Sequence, residues 1–212
     1  MSFVKHLVQL DVDSTFIQQE AIELLADKAG VLKEVSTITE SAMRGQLDFT
    51  QSLLARVGLL KGLPETVFDQ VRDEISLTDG AAELVELLHS QGHVVSLVSG
   101  GFVNIMQPIV DELKIDYFRA NTLEVVDGVL TGNVLGSIVD RAAKAQALTE
   151  FALDAQVAIE NTVAIGDGAN DLDMMALAGL SIAFNAKPVV IQAADLSITE
   201  PTLSSVPQLI GL

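Results

Sequence analysis

Three short apolar segments of this sequence each stop at a carboxylate or a small polar residue, and this recurrence constrains the fold more than any other feature. The segments are 3–10 before Asp11, 93–98 before Ser99, and 162–165 before Gly166 and Asp167. Helical patterns separate them at 81–90, about 102–113 and about 141–153. Such alternation predicts an α/β fold with a parallel sheet covered by helices on both faces. Because ligands bind at the carboxyl ends of such strands, we expect Asp11, Ser99 and Asp167 to meet in one crevice.

Two further patterns complete the predicted architecture. Apolar residues recur at helical spacing between about 20 and 60, so we interpret residues 15–75 as a helical cap inserted after the first strand. The core would then comprise 1–14 and 76–212. Later segments predict a hairpin of strands 120–126 and 129–135 turned at Asp127-Gly128, strands at 181–184 and 195–198, and a helix after Pro188.

Composition limits the classes of partner. The net charge of −17 disfavours binding to nucleic acid or to anionic membranes, and it makes a phosphate site dependent on local positive charge or a metal ion. The absence of cysteine excludes disulfides and thiol catalysis. No signal-peptide pattern and no apolar run of about 18–20 residues is present. We therefore expect a soluble, cytoplasmic protein.

The segment Asp11-Val12-Asp13-Ser14-Thr15 places two carboxylates where the first strand leaves the sheet. A carboxylate can attack phosphorus and form an aspartyl-phosphate. A second one can protonate the departing oxygen and later take a proton from water. An acidic turn without catalytic function is the alternative interpretation, because Asp and Ser are common turn residues.

Two other segments suit a bound phosphate. Ser99 offers a hydroxyl, and Gly100 with Gly101 lets backbone N–H groups approach an oxygen at a helix start. Lys144, on the helix that begins at Arg141, could neutralise phosphoryl oxygens as a point charge. Taken singly, a helix cap and a solvated lysine explain these residues equally well.

The segment Gly166-Asp167-Gly168-Ala169-Asn170-Asp171 has the composition of a site for a hard cation. Mg²⁺ prefers one or two carboxylates together with water and substrate phosphate, and Asp167 with Asp11 could supply these carboxylates. Asp171 would lie just behind and orient a ligand or Lys144. A capped helix is the alternative, although it leaves the clustering of acidic residues unexplained.

Together these four segments resemble the motifs of the haloacid dehalogenase superfamily, in order and in spacing. DVDST matches the first motif, Ser99 the second, Lys144 the third and GDGAND the fourth. The resemblance implies a Rossmann-like core with a helical cap and an obligatory Mg²⁺. It further implies that Asp11 is the nucleophile, that Asp13 is the acid/base, and that Asp11, Asp167 and the backbone carbonyl of Asp13 hold the metal.

Within that superfamily, the opening DVDSTFIQQEAIELLA and several cap residues resemble the phosphoserine phosphatases. Serine needs a carboxylate for its ammonium, a guanidinium for its carboxylate and an apolar wall for its methylene. Without substrate binding, Glu20 would be an acidic residue in the first turn of a helix, Arg56 part of a surface ion pair, and Met43 with Phe49 part of the cap core. The implied substrate-binding residues are Glu20, Met43, Phe49, Arg56, Ser99, Gly100, Lys144 and Asn170.

The resulting hypothesis is hydrolysis of O-phospho-L-serine, the last step of serine biosynthesis, by a monomer or homodimer. One alternative keeps the chemistry but changes the substrate or acceptor: a phosphatase for another small phosphomonoester, or a phosphotransferase. Another alternative is a signalling receiver with a phosphorylated strand-end aspartate. Asp13 disfavours the receiver, because a lasting phospho-aspartate is not served by a neighbouring general base.

Overall fold

A seven-stranded sheet with the order β4-β3-β2-β1-β5-β6-β7 forms the centre of the computed structural model, which describes residues 4–43 and 46–212 and omits the Met43 side chain. The strands are β1 Leu7–Asp11, β2 Val94–Phe102, β3 Tyr117–Val126, β4 Val129–Leu135, β5 Thr162–Gly166, β6 Leu180–Phe184 and β7 Leu196–Ile198. The helices are α1 Ala21–Lys28, α2 Leu32–Met43, α3 Phe49–Gly58, α4 Val67–Arg72, α5 Ala81–Ser90, α6 Val103–Glu112, α7 Arg141–Asp154, α8 Leu172–Leu177, α9 Pro188–Ala193 and α10 Val206–Leu209.

All strand pairs are parallel except β3 with β4, so the predicted α/β sheet is confirmed. The antiparallel pair is the predicted hairpin. Asp127 and Gly128 at its turn both have positive φ, +50° and +76°, as a tight two-residue hairpin turn requires. Because β1 lies between β2 and β5, its carboxyl end adjoins the ends of both neighbours.

Helices cover both faces of the sheet, and the alternation of side chains along β1 shows how. Val8 and Leu10 join one apolar cluster with residues of α5, α6 and α10, whereas Leu7 joins another with residues of α7, α8 and α9. Strands β1, β2, β5 and β6 each contribute to both of these clusters, which explains why they read as continuous apolar runs. None of the described helices is both long enough and apolar enough to cross a membrane.

Helices α1 to α4 bury a third apolar cluster, which includes Leu25, Leu53 and Val57 and extends to Leu123 and Leu130 of the hairpin. Main-chain hydrogen bonds strengthen this contact. The Gly62 N–H donates to the carbonyl of Leu130 at 2.9 Å, and the Leu130 N–H donates to the carbonyl of Leu63 at 2.8 Å. A third bond joins the Glu65 N–H to the carbonyl of Gly128 at 2.9 Å. The helical segment is thus attached to the hairpin as well as to the chain ends that lead into it.

The structure differs from the sequence prediction at the end of β2. The strand does not end at Val98 but continues through Ser99 to Phe102, with a register shift against β3 between Val98 and Phe102. Asn121 supports this extension, because its side-chain amide donates to the Gly100 carbonyl at 2.8 Å. The glycines therefore form an irregular strand end and not a helix start, and α6 begins only at Val103.

Candidate active site

The carboxyl ends of β1, β2 and β5 meet beneath the helical segment, and a cavity of about 580 Å³ lies between them. The predicted site residues on its wall are Asp11, Asp13, Glu20, Phe49, Arg56, Gly100, Asp167 and Asn170. Ser99, Lys144 and Asp171 lie behind the wall, in contact with residues that form it. Met43 lies in the predicted set, but its side chain is outside the described part of the chain. Residues that are far apart in the sequence are therefore neighbours in one site.

Asp11 is held at the end of β1 through one of its two oxygens. Oδ1 accepts a hydrogen bond from the Val12 N–H at 2.7 Å and pairs with Lys144 Nζ at 2.7 Å. Among the described residues, none donates a hydrogen bond to Oδ2. Burial raises the pKa of Asp11, with the Asp171 charge acting in the same direction and Lys144 opposing both. The arrangement fixes the carboxylate and leaves one oxygen available for a reacting atom.

Lys144 is 1% exposed and lies between two carboxylates. Its Nζ is 2.7 Å from Asp11 Oδ1 and 2.7 Å from Asp171 Oδ1. Burial alone would lower the pKa of Lys144, but the two neighbouring charges raise it above its ordinary value, so the ammonium stays charged. Asp171 is itself fixed, because its Oδ2 accepts a hydrogen bond from the Gly168 N–H at 3.0 Å.

Asp13 connects the sheet to the helical segment. Its Oδ2 accepts a hydrogen bond from the Ser99 hydroxyl at 2.8 Å, and its Oδ1 accepts one from the Ala21 N–H, at the beginning of α1, at 2.8 Å. Ser99 in turn accepts from the Gly101 N–H at 2.7 Å. Both oxygens of Asp13 are therefore directed by donors, on the rim of the same cavity as Asp11.

Asp11, Asp167 and Asp171 form an acidic cluster in which one oxygen of each lies within 4.8 Å of the others. Burial, followed by the Asp171 charge, raises the pKa of Asp167 to about 6. Lys187 and Lys144 oppose this shift but do not cancel it. Clustered carboxylates that repel one another and lack enough nearby cations fit a hard divalent cation, which prefers oxygen ligands. The cluster can therefore hold a metal ion.

Glu20 lies on the wall of the same cavity, just before α1, and is exposed to solvent. Its Oε1 accepts a hydrogen bond from the Ser14 hydroxyl at 2.7 Å, and Ser14 adopts the left-handed backbone conformation with φ +58°. Burial, followed by the Asp13 charge, raises the pKa of Glu20 to about 7. A cationic group bound beside Glu20 would relieve both effects.

Arg56 reaches the cavity from α3. Its Nε donates to the Ser52 carbonyl at 3.3 Å, and its Nη1 donates to Thr39 Oγ1, on α2, at 3.5 Å. Among the described residues, no carboxylate lies within ion-pair distance of it. Burial lowers the pKa of Arg56 below its ordinary value, although the group remains a cation. A partly buried guanidinium without a carboxylate partner in the described part of the chain is a suitable site for an anionic ligand.

Phe49 and Gly100 bring the helical segment into contact with the irregular end of β2. A Cβ atom added at Gly100 would lie 2.8 Å from Phe49 Cζ, which is closer than real Cβ contacts. Only glycine therefore allows the ring to approach the backbone this closely. The ring forms an apolar part of the cavity wall next to that backbone.

Sequence reasoning missed four polar residues of the cavity wall: Thr39, Ser52, Arg141 and Lys187. Arg141 is the first residue of α7 and pairs with Asp173, two residues after the fourth motif, at 2.5 Å. Lys187 precedes Pro188 at the start of α9, and its N–H donates to the Asp167 carbonyl at 3.1 Å. The scarcity of basic residues in this acidic chain was the available signal for both cations.

The comparisons with known proteins agree with this geometry. The family model of the haloacid dehalogenase-like hydrolases matches residues 8–176. The phosphoserine phosphatase of Streptomyces coelicolor is 54% identical over 208 residues, which are 98% of this chain and 51% of that relative. The phosphoserine phosphatase of Streptococcus thermophilus is 51% identical over 206 residues, which are 97% of this chain and 96% of that relative. A solved structure described as a phospho-aspartyl intermediate analogue of phosphoserine phosphatase has 42% identity and a TM-score of 0.92, with 98% of this chain and 99% of that chain covered. The chain thus spans about half the length of the Streptomyces relative and nearly all of the Streptococcus one.

Proposed function

Because this chain belongs to the haloacid dehalogenase-like hydrolases, we propose that it hydrolyses O-phospho-L-serine to L-serine and phosphate. The observation that carries the proposal is the placement of Glu20 and Arg56 on the wall of the cavity that also contains Asp11. A carboxylate and a partly buried guanidinium match the ammonium and the carboxylate of serine. The signalling-receiver alternative is set aside, because the chain belongs to a family of hydrolases.

The chemistry follows from the two aspartates of the first motif. In the first step, Asp11 Oδ2 attacks phosphorus and the bond from phosphorus to the serine oxygen breaks, while Asp13 gives its proton to that oxygen. In the second step, water attacks phosphorus and Asp13 takes a proton from it, so that phosphate leaves and Asp11 is regenerated. Lys144 holds Asp11 Oδ1 throughout, which keeps the other oxygen directed at the substrate.

We further propose that the acidic cluster holds Mg²⁺, with Asp11, Asp167 and the backbone carbonyl of Asp13 as ligands and Asp171 behind them. When bound, the ion supplies positive charge that offsets the repulsion between the phosphate and the aspartates. The residues of this chain position the phosphate: the Ser99 hydroxyl, the Gly100 backbone, Lys144 and Asn170 are its proposed contacts. Arg141 and Lys187 add positive charge at the rim of the cavity.

The helical segment 15–75 is proposed as a cap that selects the substrate. Glu20 would pair with the ammonium, and Arg56 would form two hydrogen bonds with the carboxylate. Phe49 is proposed as the apolar wall for the methylene, together with Met43. The raised pKa of Glu20 supports this assignment, because a bound ammonium favours the charged carboxylate.

The test is a phosphate-release assay on a panel of small phosphomonoesters, with and without Mg²⁺ after exhaustive chelation. We expect phosphoserine to have the highest kcat/KM, chelation to abolish turnover and Mg²⁺ to restore it.

Asp11→Asn should remove phosphate release, and Asp13→Asn should lower it by about 10²–10⁴-fold. A higher kcat/KM for another phosphomonoester would favour a phosphatase with that substrate. Transfer of the phosphoryl group from the substrate to an added alcohol would favour a phosphotransferase. Near-normal release by Asp11→Asn would overturn the mechanism.

The physiological context extends the same proposal. We propose that the reaction is the last step of serine biosynthesis and takes place in the cytoplasm. The monomer or homodimer expected from the sequence also stays a prediction. Growth of a serine-requiring strain on the cloned chain, cell fractionation and light scattering would test these three points separately.

A further inference from the structure

Ser52 is a cavity-wall residue whose hydroxyl has no partner in the described part of the chain. It is 2% exposed, and its Oγ is one of two such buried side-chain atoms, the other being Thr15 Oγ1. Burying a hydroxyl without a hydrogen bond destabilises a folded protein. A serine that is retained on the wall of a ligand cavity under these conditions suggests a partner supplied by the ligand.

The helix itself offers Ser52 a partner that it does not use. Hydroxyls inside helices commonly donate to the carbonyl four residues earlier. Among the described residues, four hydroxyls make this bond: Thr37 to Lys33 at 2.9 Å, Thr39 to Val35 at 3.1 Å, Ser41 to Thr37 at 3.0 Å and Thr149 to Ala145 at 3.2 Å. The corresponding carbonyl for Ser52 is that of Asp48, which accepts a hydrogen bond from the Ser52 N–H at 3.0 Å and from no hydroxyl of the described residues. The hydroxyl of Ser52 is therefore directed elsewhere.

Arg56 lies one helical turn after Ser52, so the two side chains share a face of α3. The Ser52 carbonyl accepts from Arg56 Nε, and Thr39 accepts from Nη1. These contacts use two of the five N–H groups of the guanidinium and leave the others for a ligand. The backbone of Ser52 thus holds the guanidinium in place, while its hydroxyl stays unused beside it.

We propose that Ser52 is a specificity-determining residue whose hydroxyl donates to the substrate carboxylate beside Arg56. This inference rests on the proposed function. A carboxylate offers about four lone-pair positions, and a two-pronged guanidinium occupies two of them. The Ser52 hydroxyl, on the same helix face, would donate a third hydrogen bond to the carboxylate. This bond would also supply the partner that Ser52 Oγ lacks in the described part of the chain.

The test is Ser52→Ala in the Mg²⁺-loaded enzyme, with kcat/KM measured for phosphoserine and for phosphoethanolamine, which lacks the carboxylate. We expect a loss of about 10–100-fold for phosphoserine, typical of a hydrogen bond to a charged group, and no change for phosphoethanolamine. The inhibition constant of L-serine should rise by a similar factor, whereas that of ethanolamine should stay constant. Ser52→Cys, with a thiol that donates weakly, should fall between wild type and Ser52→Ala.

Ser41→Ala is the matched control, because the Ser41 hydroxyl already has a helix partner and is not on the cavity wall. It should leave both kcat/KM values unchanged. The melting temperature of Ser52→Ala should equal or exceed that of wild type, because an unpaired polar group has been removed. Equal kcat/KM for phosphoserine in wild type and Ser52→Ala would overturn this inference alone, as would equal losses for both substrates. A wild-type enzyme that does not hydrolyse phosphoserine would overturn the proposed function and this inference together.

Discussion

At the scale of single residues, the ion pairs of this protein differ widely in what they contribute. The Lys144 pairs with Asp11 and Asp171 are buried, whereas the pair between Lys28 and Glu74 is at the surface. Removing one partner of a buried pair leaves an uncompensated charge in the interior, but exposed pairs are screened by water. The same type of contact should therefore have very different consequences when it is broken.

Lys144→Met should lower the free energy of unfolding by about 3–5 kcal/mol, because Asp11 and Asp171 would be left as buried carboxylates without their cation. Urea denaturation in the presence of a chelator measures this. Lys28→Met is the control, and we expect its effect to be much smaller, since its pair is exposed. Equal losses for the two variants would mean that the buried pairs do not stabilise the site.

Arg56→Ala should lower kcat/KM for phosphoserine by an amount equivalent to about 2–5 kcal/mol, the usual cost of losing a buried charged partner. Phosphoethanolamine should be a poor substrate for the wild type and no worse for the variant. Arg56→Lys should recover little of the kcat/KM lost in Arg56→Ala, because the ammonium of lysine cannot form two parallel hydrogen bonds with a carboxylate. The measurement is the ratio of kcat/KM values for the two substrates, and an unchanged ratio would show that Arg56 does not bind the carboxylate.

At the scale of elements, close backbone contacts fix how helices and strands join. Gly179 connects α8 to β6, and a Cβ atom there would lie 2.1 Å from the carbonyl oxygen of Glu160. That neighbour is backbone and cannot rotate away. Gly58, at the end of α3, has no atom within 4 Å of the corresponding position.

Gly179→Ala should therefore destabilise the protein by about 1–3 kcal/mol or more, because the backbone of Glu160 has to move. Gly58→Ala should instead be neutral or stabilising by up to about 1 kcal/mol, since alanine favours the helical conformation. Thermal unfolding of the two variants beside wild type measures the contrast. Similar melting temperatures for both variants would argue against the close contact between Gly179 and the backbone of Glu160.

At the scale of the whole molecule, the acidic cavity links stability to pH. The pKa of Glu20 rises from 4.5 in the unfolded chain to about 7 in the folded one, chiefly through burial and then through Asp13. Between these values the folded state binds more protons than the unfolded state. The free energy of unfolding should therefore fall as pH rises across this window and level off above it.

Glu20→Gln should remove this part of the pH dependence. The measurement is the free energy of unfolding at about pH 5 and about pH 8, without substrate and with a chelator, in wild type and variant. We expect wild type to lose more stability between the two pH values than Glu20→Gln does, although Asp167 contributes a slope of the same sign in both. Parallel changes in the two proteins would show that Glu20 is not a proton-binding site of the folded state.

The sequence predicts the frame of the molecule well, because periodicity and turn chemistry are local. Helix α5 runs from Ala81 to Ser90 as predicted, and Asp127-Gly128 turns the hairpin. The rule that ligands bind at carboxyl ends places Asp11 and Asp167 on one cavity. The continuation of β2 through Ser99 and the unused hydroxyl of Ser52 depend on contacts between distant segments, so no local pattern reveals them.

The attachment of the helical segment to the hairpin has a consequence for how molecules enter and leave. Three main-chain hydrogen bonds join residues 62–65 to residues 128–130, in addition to the two chain connections of the segment. A swing of the whole segment would have to break all three, whereas a flexing of α2 and α3 would break none. We therefore expect substrate and product to pass beside α2 and α3, and the rate of turnover to depend on how easily these two helices separate.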